Sequence, residues 1–384
     1  MNISKLSFLL RQVMLLSLVF AFYAASAAQS TFKPKVIRAL PVYKTENVIL
    51  ITLDGARTQE IFGGLDADIF RSVNKNFDKT AAFKNYNAAT AKERREKLMP
   101  FFWKTLMTSH GSIAGNRDLK SEVKTTNRLW FSYPGYSEIL TGEAHDDVIN
   151  SNSHPQNPYP SVLDFVNKKL AAGPNAVAEF SSWDAFMRIA TNKPGSFVVN
   201  AAYETYPTDN KEINELFRLQ SHVLAPWPSV RHDYFTFKIA MAHMKQYRTR
   251  AIHIGFDETD DYAHDKNYER VLDTLHLTDK WIAELWQFVQ TDPRYNGRTS
   301  IVITVDHGRG NSAKDWSDHG KDVPEAQYIW MAFVSPDVGL RGEWKDTETI
   351  YQNQIAATLC KFIGLDYSEQ NREAGKPIAR LFVK

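Results

Sequence analysis

The chain has 384 residues, of which 43% are hydrophobic and 12% are aromatic. This content supplies a large core, which excludes disorder as a description of the whole chain. The 46 basic and 44 acidic residues leave a net charge of +2, so no overall field attracts nucleic acid or an anionic membrane. Cys360 is the single cysteine, which excludes an intramolecular disulfide. Its place in an apolar helical pattern indicates a buried, inert thiol.

The first residues have the pattern of a cleavable export signal. Lys5 and Arg11 precede an apolar run at 13–25, and small residues follow at 25–27. The apolar run is shorter than the roughly 20 residues of a membrane-spanning helix, which argues against a retained anchor. The sequence therefore predicts a signal peptide at 1–28 and an exported protein, periplasmic or secreted, without a stable membrane anchor after cleavage.

Short β-branched and apolar runs that end in acidic or turn residues alternate with longer helical patterns. The predicted strands are 47–53, 176–180, 251–256, 300–305 and 328–334. The predicted helices include 91–107, 161–170, 229–244 and 268–291. This alternation predicts an α/β fold, a three-layer sandwich around a mostly parallel sheet. Ligands of such sheets bind beyond the carboxyl ends of the strands, so the polar residues after each run are the candidates for a site.

The first predicted strand ends at Asp54-Gly55. A carboxylate there can bind a cation, and the glycine lets another group approach closely, although a helix N-cap is the alternative role of the aspartate.

Further along, Ser132 precedes a Pro-Gly turn and an apolar helical stretch. A hydroxyl at a helix N-terminus lies where backbone amides favour anions, and a neighbouring cation would activate it by stabilising the alkoxide. A plain helix cap is again the alternative.

The two C-terminal strands of the predicted parallel core end in metal-ligand residue types. After 251–256, Asp260 and His264 are four residues apart, so one helical turn places them on the same side. At least two of the neighbouring acids Asp257, Glu258 and Asp261 are expected to be solvated. After 300–305 come Asp306 and His307, with His319 twelve positions beyond His307. Carboxylate and imidazole together suit Zn²⁺ or Mn²⁺, and six ligands shared by two cations leave positions open for substrate.

This ordered set of motifs resembles the alkaline phosphatase-like superfamily, which includes phosphatases, phosphodiesterases, sulfatases and cofactor-independent phosphoglycerate mutases. The resemblance runs from residue 47 to the end and implies one catalytic domain at 29–384, with cap elements within about 70–127 and 203–250. It implies that one cation is held by Asp54, Asp306 and His307, and the other by Asp260, His264 and His319. Counting ten residues back from Gly142, as in related phosphodiesterases and sulfatases, identifies Ser132 as the nucleophile. Ser137, in a Ser-Glu pair similar to that of the mutases, is the competing candidate.

The chain also departs from the patterns of this superfamily. Gly135 and Tyr136 occupy the positions where phosphodiesterases carry Asn-His, so the usual amide contact to the phosphoryl oxygen is missing and Asn127 is the candidate replacement. Tyr136 also occupies the position of the arginine that sulfatases need, which disfavours sulfate ester cleavage. Trp183, after the strand at 176–180, is expected to form a pocket wall or to belong to the core. The predicted substrate contacts are therefore Asn127, Gly135 and Trp183.

These observations predict an exported two-metal hydrolase that cleaves a small-molecule phosphate ester through Ser132 and a phosphoseryl intermediate. Two divalent cations are expected, with Zn²⁺ favoured over Mn²⁺ or Fe, and no nucleic-acid-binding surface is indicated. Because imidazoles coordinate metals only when neutral, metal occupancy is expected to fall as the pH drops through ~6.5. The alternatives are a phosphomutase, a sulfatase and a non-catalytic binding protein of the same fold.

Overall fold

The structure is a computed structural model that describes residues 43–382. The predicted signal peptide at 1–28 lies outside the described residues. Within residues 43–382, no helix has both the length and the apolar character needed to cross a membrane.

Strands of one sheet form the middle of the fold. The strands within residues 43–382 are β1 (Asn47–Leu53), β2 (Gly111–Ala114), β3 (Val123–Lys124), β4 (Val177–Ser181), β5 (Val198–Ala201), β6 (Ala251–Phe256), β7 (Thr299–Thr304), β8 (Met331–Val334), β9 (Gly342–Glu343) and β10 (Ile350–Tyr351). Eight of these described strands form the main sheet in the order β5-β4-β6-β1-β7-β8-β2-β9, and β3 pairs with β10. The run from β5 to β7 is parallel, whereas β8 is antiparallel to both β7 and β2. The predicted mostly parallel α/β fold is confirmed.

The three central strands end together at one edge of the sheet. All residues of β1, β6 and β7 are buried, as expected for continuous apolar runs covered on both faces. In the register of the sheet, Thr52 pairs with both Gly255 and Thr304. The chain therefore leaves β1, β6 and β7 at the same level, and the polar residues that follow these strands converge.

Helices cover both faces of this sheet. They are α1 (Thr58–Gly63), α2 (Ala67–Val73), α3 (Ala81–Tyr86), α4 (Ala91–Leu98), α5 (Ser132–Thr141), α6 (Val162–Leu170), α7 (Phe186–Ile189), α8 (Lys211–Gln220), α9 (Asp233–Gln246), α10 (Glu258–His264), α11 (Tyr268–Thr291) and α12 (Ile355–Phe362). Leu50 lines a small void with side chains of α6 and α12, whereas Ile51 lines another with side chains of α9 and α11. Successive β1 residues thus point to opposite helical layers, as the period of a strand requires. Cys360 is buried in α12, and burial raises the pKa of its thiol.

Two predicted segments differ from the structure for identifiable reasons. The single helix predicted at 91–107 is interrupted at Met99, and a π-helix follows at Phe102–His110. Met99 precedes Pro100, and a proline ring disfavours the helical conformation of the residue before it. The helix predicted to begin at 229 begins at Asp233 in α9. The segments predicted to contain cap elements also build the core, since β2 joins the main sheet and α9 packs against β4 and β6.

Candidate metal centre

Six side chains meet beyond the carboxyl ends of β1, β6 and β7. Asp54 follows β1 directly, while Asp306 and His307 follow β7. Helix α10 begins just after β6 and carries Asp260 and His264. The start of α10 is held by Asp233, whose carboxylate accepts hydrogen bonds from the backbone N–H groups of Asp257 at 2.9 Å and Glu258 at 3.2 Å. Such capping satisfies N–H groups that a helix start leaves free.

The six residues form two groups whose candidate ligand atoms lie within 4.8 Å of one another in each group. The first group is Asp54, Asp306 and His307, and the second is Asp260, His264 and His319. In the first group His307 Nε2 lies 3.4 Å from Asp54 Oδ1 and 3.4 Å from Asp306 Oδ2. A tetrahedral site with metal–ligand bonds of about 2.0 Å has ligand–ligand edges of about 3.3 Å, so these spacings fit a bound cation.

The second group has similar spacings and adjoins the first. His264 Nε2 lies 3.0 Å from His319 Nε2 and 3.1 Å from Asp260 Oδ2. Asp260 Oδ1 lies 3.7 Å from His307 Nε2, and the rings of His307 and His319 stack with centroids 4.0 Å apart. The two groups therefore form one continuous polar centre.

The charge state of the centre also fits a cation. Asp54 Oδ1 and Asp306 Oδ2 are buried, and neither atom has a hydrogen-bond partner among residues 43–382. Burial raises the pKa of both carboxyl groups, and Asp306 and Asp257 raise that of Asp54 further. Burial lowers the pKa of the imidazoles of His264, His307 and His319, which keeps them neutral and able to coordinate. Buried carboxylates without partners are costly, and a divalent cation would compensate them. Oxygen and imidazole donors without thiolate suit Zn²⁺, Mn²⁺ or Fe.

Ser132 lies beside the first group. It is the first residue of α5, is 5% exposed, and its Oγ lies 3.4 Å from His307 Nε2. Gly135, one turn along α5, explains this close approach: a Cβ added there would lie 2.5 Å from the carbonyl oxygen of Asp306. Gly135 was predicted as a substrate contact, whereas the structure gives it a packing role between α5 and the end of β7.

Ser137 and Glu138, in the middle of α5, form hydrogen bonds with residues outside the six candidate ligands. Ser137 is 1% exposed, and its Oγ accepts a hydrogen bond from the amide of Asn157 at 3.4 Å. Glu138 is fully buried and accepts four hydrogen bonds from the backbone and side chains of Thr126 and Asn127. The hydroxyl of Ser137 is therefore engaged with Asn157, whereas that of Ser132 lies beside the first group of candidate ligands.

The other two predicted substrate contacts, Asn127 and Trp183, interact with neighbouring residues of the chain. The side-chain NH₂ group of Asn127 donates a hydrogen bond to Glu138. The side-chain oxygen of Asn127, Oδ1, accepts hydrogen bonds from the backbone N–H groups of Leu129 and Trp130. Its geometry therefore gives no support to the predicted contact with a phosphoryl oxygen. Trp183 follows β4, and its ring packs edge-on against that of Phe186. Its backbone forms an isolated antiparallel β-bridge with Val230. It is only half-buried, so the prediction that it forms a pocket wall is left open.

Arg309 is a residue of the centre that the sequence did not reveal. It is 2% exposed, and its guanidinium donates to the carboxylate of Asp260 and, at 3.3 Å, to the Asp260 backbone carbonyl. Burial lowers the pKa of Arg309 to about 10, so the side chain stays cationic at neutral pH. A Cβ at Gly55 would lie 2.7 Å from Arg309 Nε, which explains the need for glycine after Asp54. The available signal was the position of Arg309 two residues beyond His307, in the same turn.

A cavity on another part of the described surface has none of these ligands in its lining. It has a volume of about 700 Å³ and is lined by residues of α1, α4 and the segment after β2, including Thr58, Arg94 and Arg117. None of the six candidate ligands lines this cavity.

Comparison with known proteins agrees with this architecture. Residues 200–367 match the family model of the Metalloenzyme superfamily, a range that includes Asp260, His264, Asp306, His307 and His319. Among curated proteins, the chain is similar to GPI ethanolamine phosphate transferase 1 of Aspergillus oryzae (strain ATCC 42149 / RIB 40), with 28% identity over 134 residues. This similarity covers 30% of the chain and 12% of the transferase.

Solved structures share the fold at low sequence identity. The alkaline phosphatase PafA has a TM-score of 0.56 and 10% identity, covering 90% of this chain and 100% of its own. The phosphonate monoester hydrolase SpPMH from Silicibacter pomeroyi has a TM-score of 0.52 and 13% identity, covering 88% and 76%. The lipoteichoic acid synthase LtaP from Listeria monocytogenes has a TM-score of 0.51 and 11% identity, covering 85% and 73%. The predicted resemblance is therefore confirmed: the chain has an alkaline phosphatase-like fold, and its residues 200–367 match the family model of the Metalloenzyme superfamily.

Proposed function

We propose that the protein is a two-metal hydrolase of phosphate esters in which Ser132 is the nucleophile. The observation that carries this proposal is the position of Ser132 Oγ, 3.4 Å from His307 Nε2, beside two adjoining groups of candidate ligands. Asp54, Asp306 and His307 would hold one divalent cation, and Asp260, His264 and His319 would hold the other. Zn²⁺ is the first candidate for both sites, with Mn²⁺ or Fe second.

In this reaction Ser132 would attack phosphorus, and Arg309 would orient one of the candidate metal ligands. Cations held by these two groups would supply positive charge to stabilise the serine alkoxide and the charge that develops on the phosphoryl and leaving oxygens. The Ser132 hydroxyl gives its proton to solvent, Oγ forms a bond to phosphorus as the bond to the leaving oxygen breaks, and the leaving alkoxide takes a proton from water and departs as the alcohol. Water then cleaves the phosphoseryl ester, which regenerates the serine and releases phosphate. Arg309 would orient Asp260 through its hydrogen bonds to the carboxylate and the backbone carbonyl of that residue.

Substitution of Ser132 tests this mechanism. Ser132→Ala should lower kcat by at least ~10³-fold, the scale of losing a nucleophile, while the metal content per chain stays unchanged. Ser137→Ala is the matched control on the same helix and should keep normal turnover, because its hydroxyl bonds Asn157. Phosphate mono- and diesters with added Zn²⁺ or Mn²⁺ are the substrates for this assay. Full activity of Ser132→Ala, with loss in Ser137→Ala, would transfer the role to Ser137.

A second candidate is transfer of a phosphoethanolamine group to an acceptor alcohol. The local similarity to an ethanolamine phosphate transferase favours this candidate. Ser132 would carry the transferred group in both reactions, which differ only in whether water or an alcohol receives it. Phosphorus NMR with a phosphoethanolamine ester and an excess of alcohol separates them: free phosphoethanolamine indicates hydrolysis, and a new ester indicates transfer.

The remaining alternatives have less support from the geometry. The mutase alternative depended on Ser137 and Glu138, which have structural partners here. The sulfatase alternative lacks the arginine that Tyr136 replaces. A non-catalytic binding protein would not need Ser132 beside two candidate metal groups. Export of the chain is proposed on the signal pattern at 1–28 alone, and N-terminal sequencing of the protein from culture fractions would test it.

A further inference from the structure

Trp130, two residues before the proposed nucleophile, has an unusual backbone conformation. Its φ is +52°, in the left-handed region that bulky side chains rarely adopt. A residue in this region persists only where surrounding contacts hold it, and such residues cluster at functional sites. The contacts of Trp130 therefore indicate what this conformation does.

The side chain of Asn127 holds the unusual backbone in place. Asn127 Oδ1 accepts hydrogen bonds from the backbone N–H groups of Leu129 at 3.1 Å and Trp130 at 2.9 Å. Asn127 is itself fixed, since its backbone N–H and its side-chain amide each donate to Glu138 Oε2 at 2.8 Å. Glu138 is fully buried on α5, the helix that begins with Ser132. The segment 127–130, here called the Asn127 turn, is thus fastened to the helix of the nucleophile.

The left-handed conformation directs the carbonyl of Trp130 toward the metal centre. His319 Nδ1 lies 3.3 Å from this carbonyl oxygen, while His319 Nε2 lies 3.0 Å from His264 Nε2. A carbonyl can only accept a hydrogen bond, so the proton of a neutral His319 must be on Nδ1. Nε2 then keeps its lone pair free on the side of the second ligand group. Metal-binding histidines are commonly oriented in this way through their second ring nitrogen.

We propose that the Asn127 turn is a positioning device that fixes the ring orientation and tautomer of His319 and links the second metal site to the helix of Ser132. Asn127 and Trp130 act through His319 and are positioning residues. The backbone of Trp130 does this work, and its indole is not required. The proposal rests on the proposed function only in treating His319 as a metal ligand.

Two substitutions of Trp130 separate the backbone from the side chain. Trp130→Gly and Trp130→Val both remove the indole, but glycine adopts positive φ readily and a β-branched residue does not. Trp130→Gly should therefore keep the Nδ1–H tautomer of His319 and bind the second Zn²⁺ within about threefold of the original affinity. Trp130→Val should lose the uniform tautomer and bind the second Zn²⁺ ~10–100-fold more weakly, the usual effect of losing an outer partner of a ligand. Asn127→Ala should behave like Trp130→Val.

The measurements use the full-length protein without substrate. Nitrogen-15 NMR of histidine rings reports the tautomer of His319 in the metal-free protein, with the signal identified by its loss in His319→Ala. Competition with a chelator reports the affinity for the second Zn²⁺. Ala171→Gly is the matched control, because Ala171 is an exposed residue with φ +45° at the end of α6, and it should change neither readout.

The outcomes separate this proposal from the proposed function. Equal tautomers and equal Zn²⁺ affinities in Trp130→Gly and Trp130→Val would overturn the backbone role, whether both are normal or both are weakened. If Trp130→Val does not fold, Asn127→Ala decides in its place, and its unchanged tautomer would overturn the proposal. Neither readout requires hydrolysis, so an inactive enzyme with normal results here would contradict only the proposed function.

Discussion

Replacing Asp54 with asparagine should stabilise the metal-free protein while weakening its response to metal. Asp54 is 1% exposed, its Oδ1 has no hydrogen-bond partner among residues 43–382, and Asp306 and Asp257 repel it. Asparagine has nearly the same shape without the charge. A buried carboxyl whose pKa is raised lowers the stability at neutral pH by about 1.4 kcal/mol for each unit of the rise, so its removal should stabilise the metal-free protein by about 1–4 kcal/mol.

The size of the effect sets the precision that the assay needs. An unfolding entropy of ~2.1 cal/mol/K per residue corresponds to ~0.8 kcal/mol/K for 384 residues. Each kcal/mol therefore shifts the melting midpoint by about 1.2 °C, and the substitution should raise it by about 1–5 °C in the presence of a chelator. Zn²⁺ at 100 times its dissociation constant stabilises the unsubstituted protein by about 2.7 kcal/mol, or about 3 °C per site. Asp54→Asn should lose most of this gain at the first site.

The assay is differential scanning calorimetry with chelator and with excess Zn²⁺. The expected pattern is a crossing: Asp54→Asn melts higher with chelator, and its midpoint rises less when Zn²⁺ is added. The matched control is Asp279→Asn, because Asp279 is equally buried but accepts hydrogen bonds from Phe101 and Phe102. That control should melt lower in both conditions. A metal-free Asp54→Asn that melts at or below the original midpoint would refute the electrostatic reasoning.

Other predictions concern packing, pH and the arginine. Gly135→Ala should destabilise the protein by about 1–3 kcal/mol and lower kcat, because the added Cβ overlaps the carbonyl of Asp306; urea unfolding and steady-state kinetics measure these effects. Burial raises the pKa of Asp54 and Asp306, so protons compete with cations at a higher pH than for ordinary carboxyls. Zn²⁺ affinity should therefore fall steadily as the pH is lowered from 8 to 5.5, as chelator competition would show, and a flat profile would contradict these shifts. Because Arg309 already neutralises part of the charge of Asp260, Arg309→Met should raise the Zn²⁺ affinity of the second site in chelator competition, while Arg309→Lys, which keeps the charge, should change this affinity less.

The sequence predicted the central strands and the candidate ligands that follow them because both signals are local. A strand buried on both faces is a continuous apolar run, so β1 and β6 could be read to the residue. Parallel strands end at one edge, so polar residues directly after them must converge wherever the loops go. Asp54, Asp260 and Asp306 come at or near such ends, and the structure brings them together.

The sequence could not assign roles that depend on distant partners. Nothing in the sequence around Asn127 marks it as special. Its role depends on a hydrogen bond from its side-chain amide to Glu138, eleven positions later. Gly135 was considered only as a substrate contact, because its neighbour across the packing interface is Asp306, which is remote in sequence. The role of Arg309 could not be predicted for the same reason. Its contact with Asp260 forms only because the segments after β6 and β7 meet in the fold. The break before Pro100 was readable, because the restriction imposed by a proline is local.

The two metal groups are chemically unequal, and the fold explains why. The first group has two carboxylates, each with an unpartnered buried oxygen, and its one imidazole is neutral. The second group has one carboxylate, which Arg309 already partly neutralises, and two imidazoles. The electrostatic need for a cation is therefore greater in the first group, which is also the group that Ser132 touches. A cation in the second group would relieve less carboxylate repulsion, so we expect its binding to depend more on the orientation of the two imidazoles. The hydrogen bond from His319 Nδ1 to the carbonyl of the left-handed Trp130 would supply such an orientation in the second group.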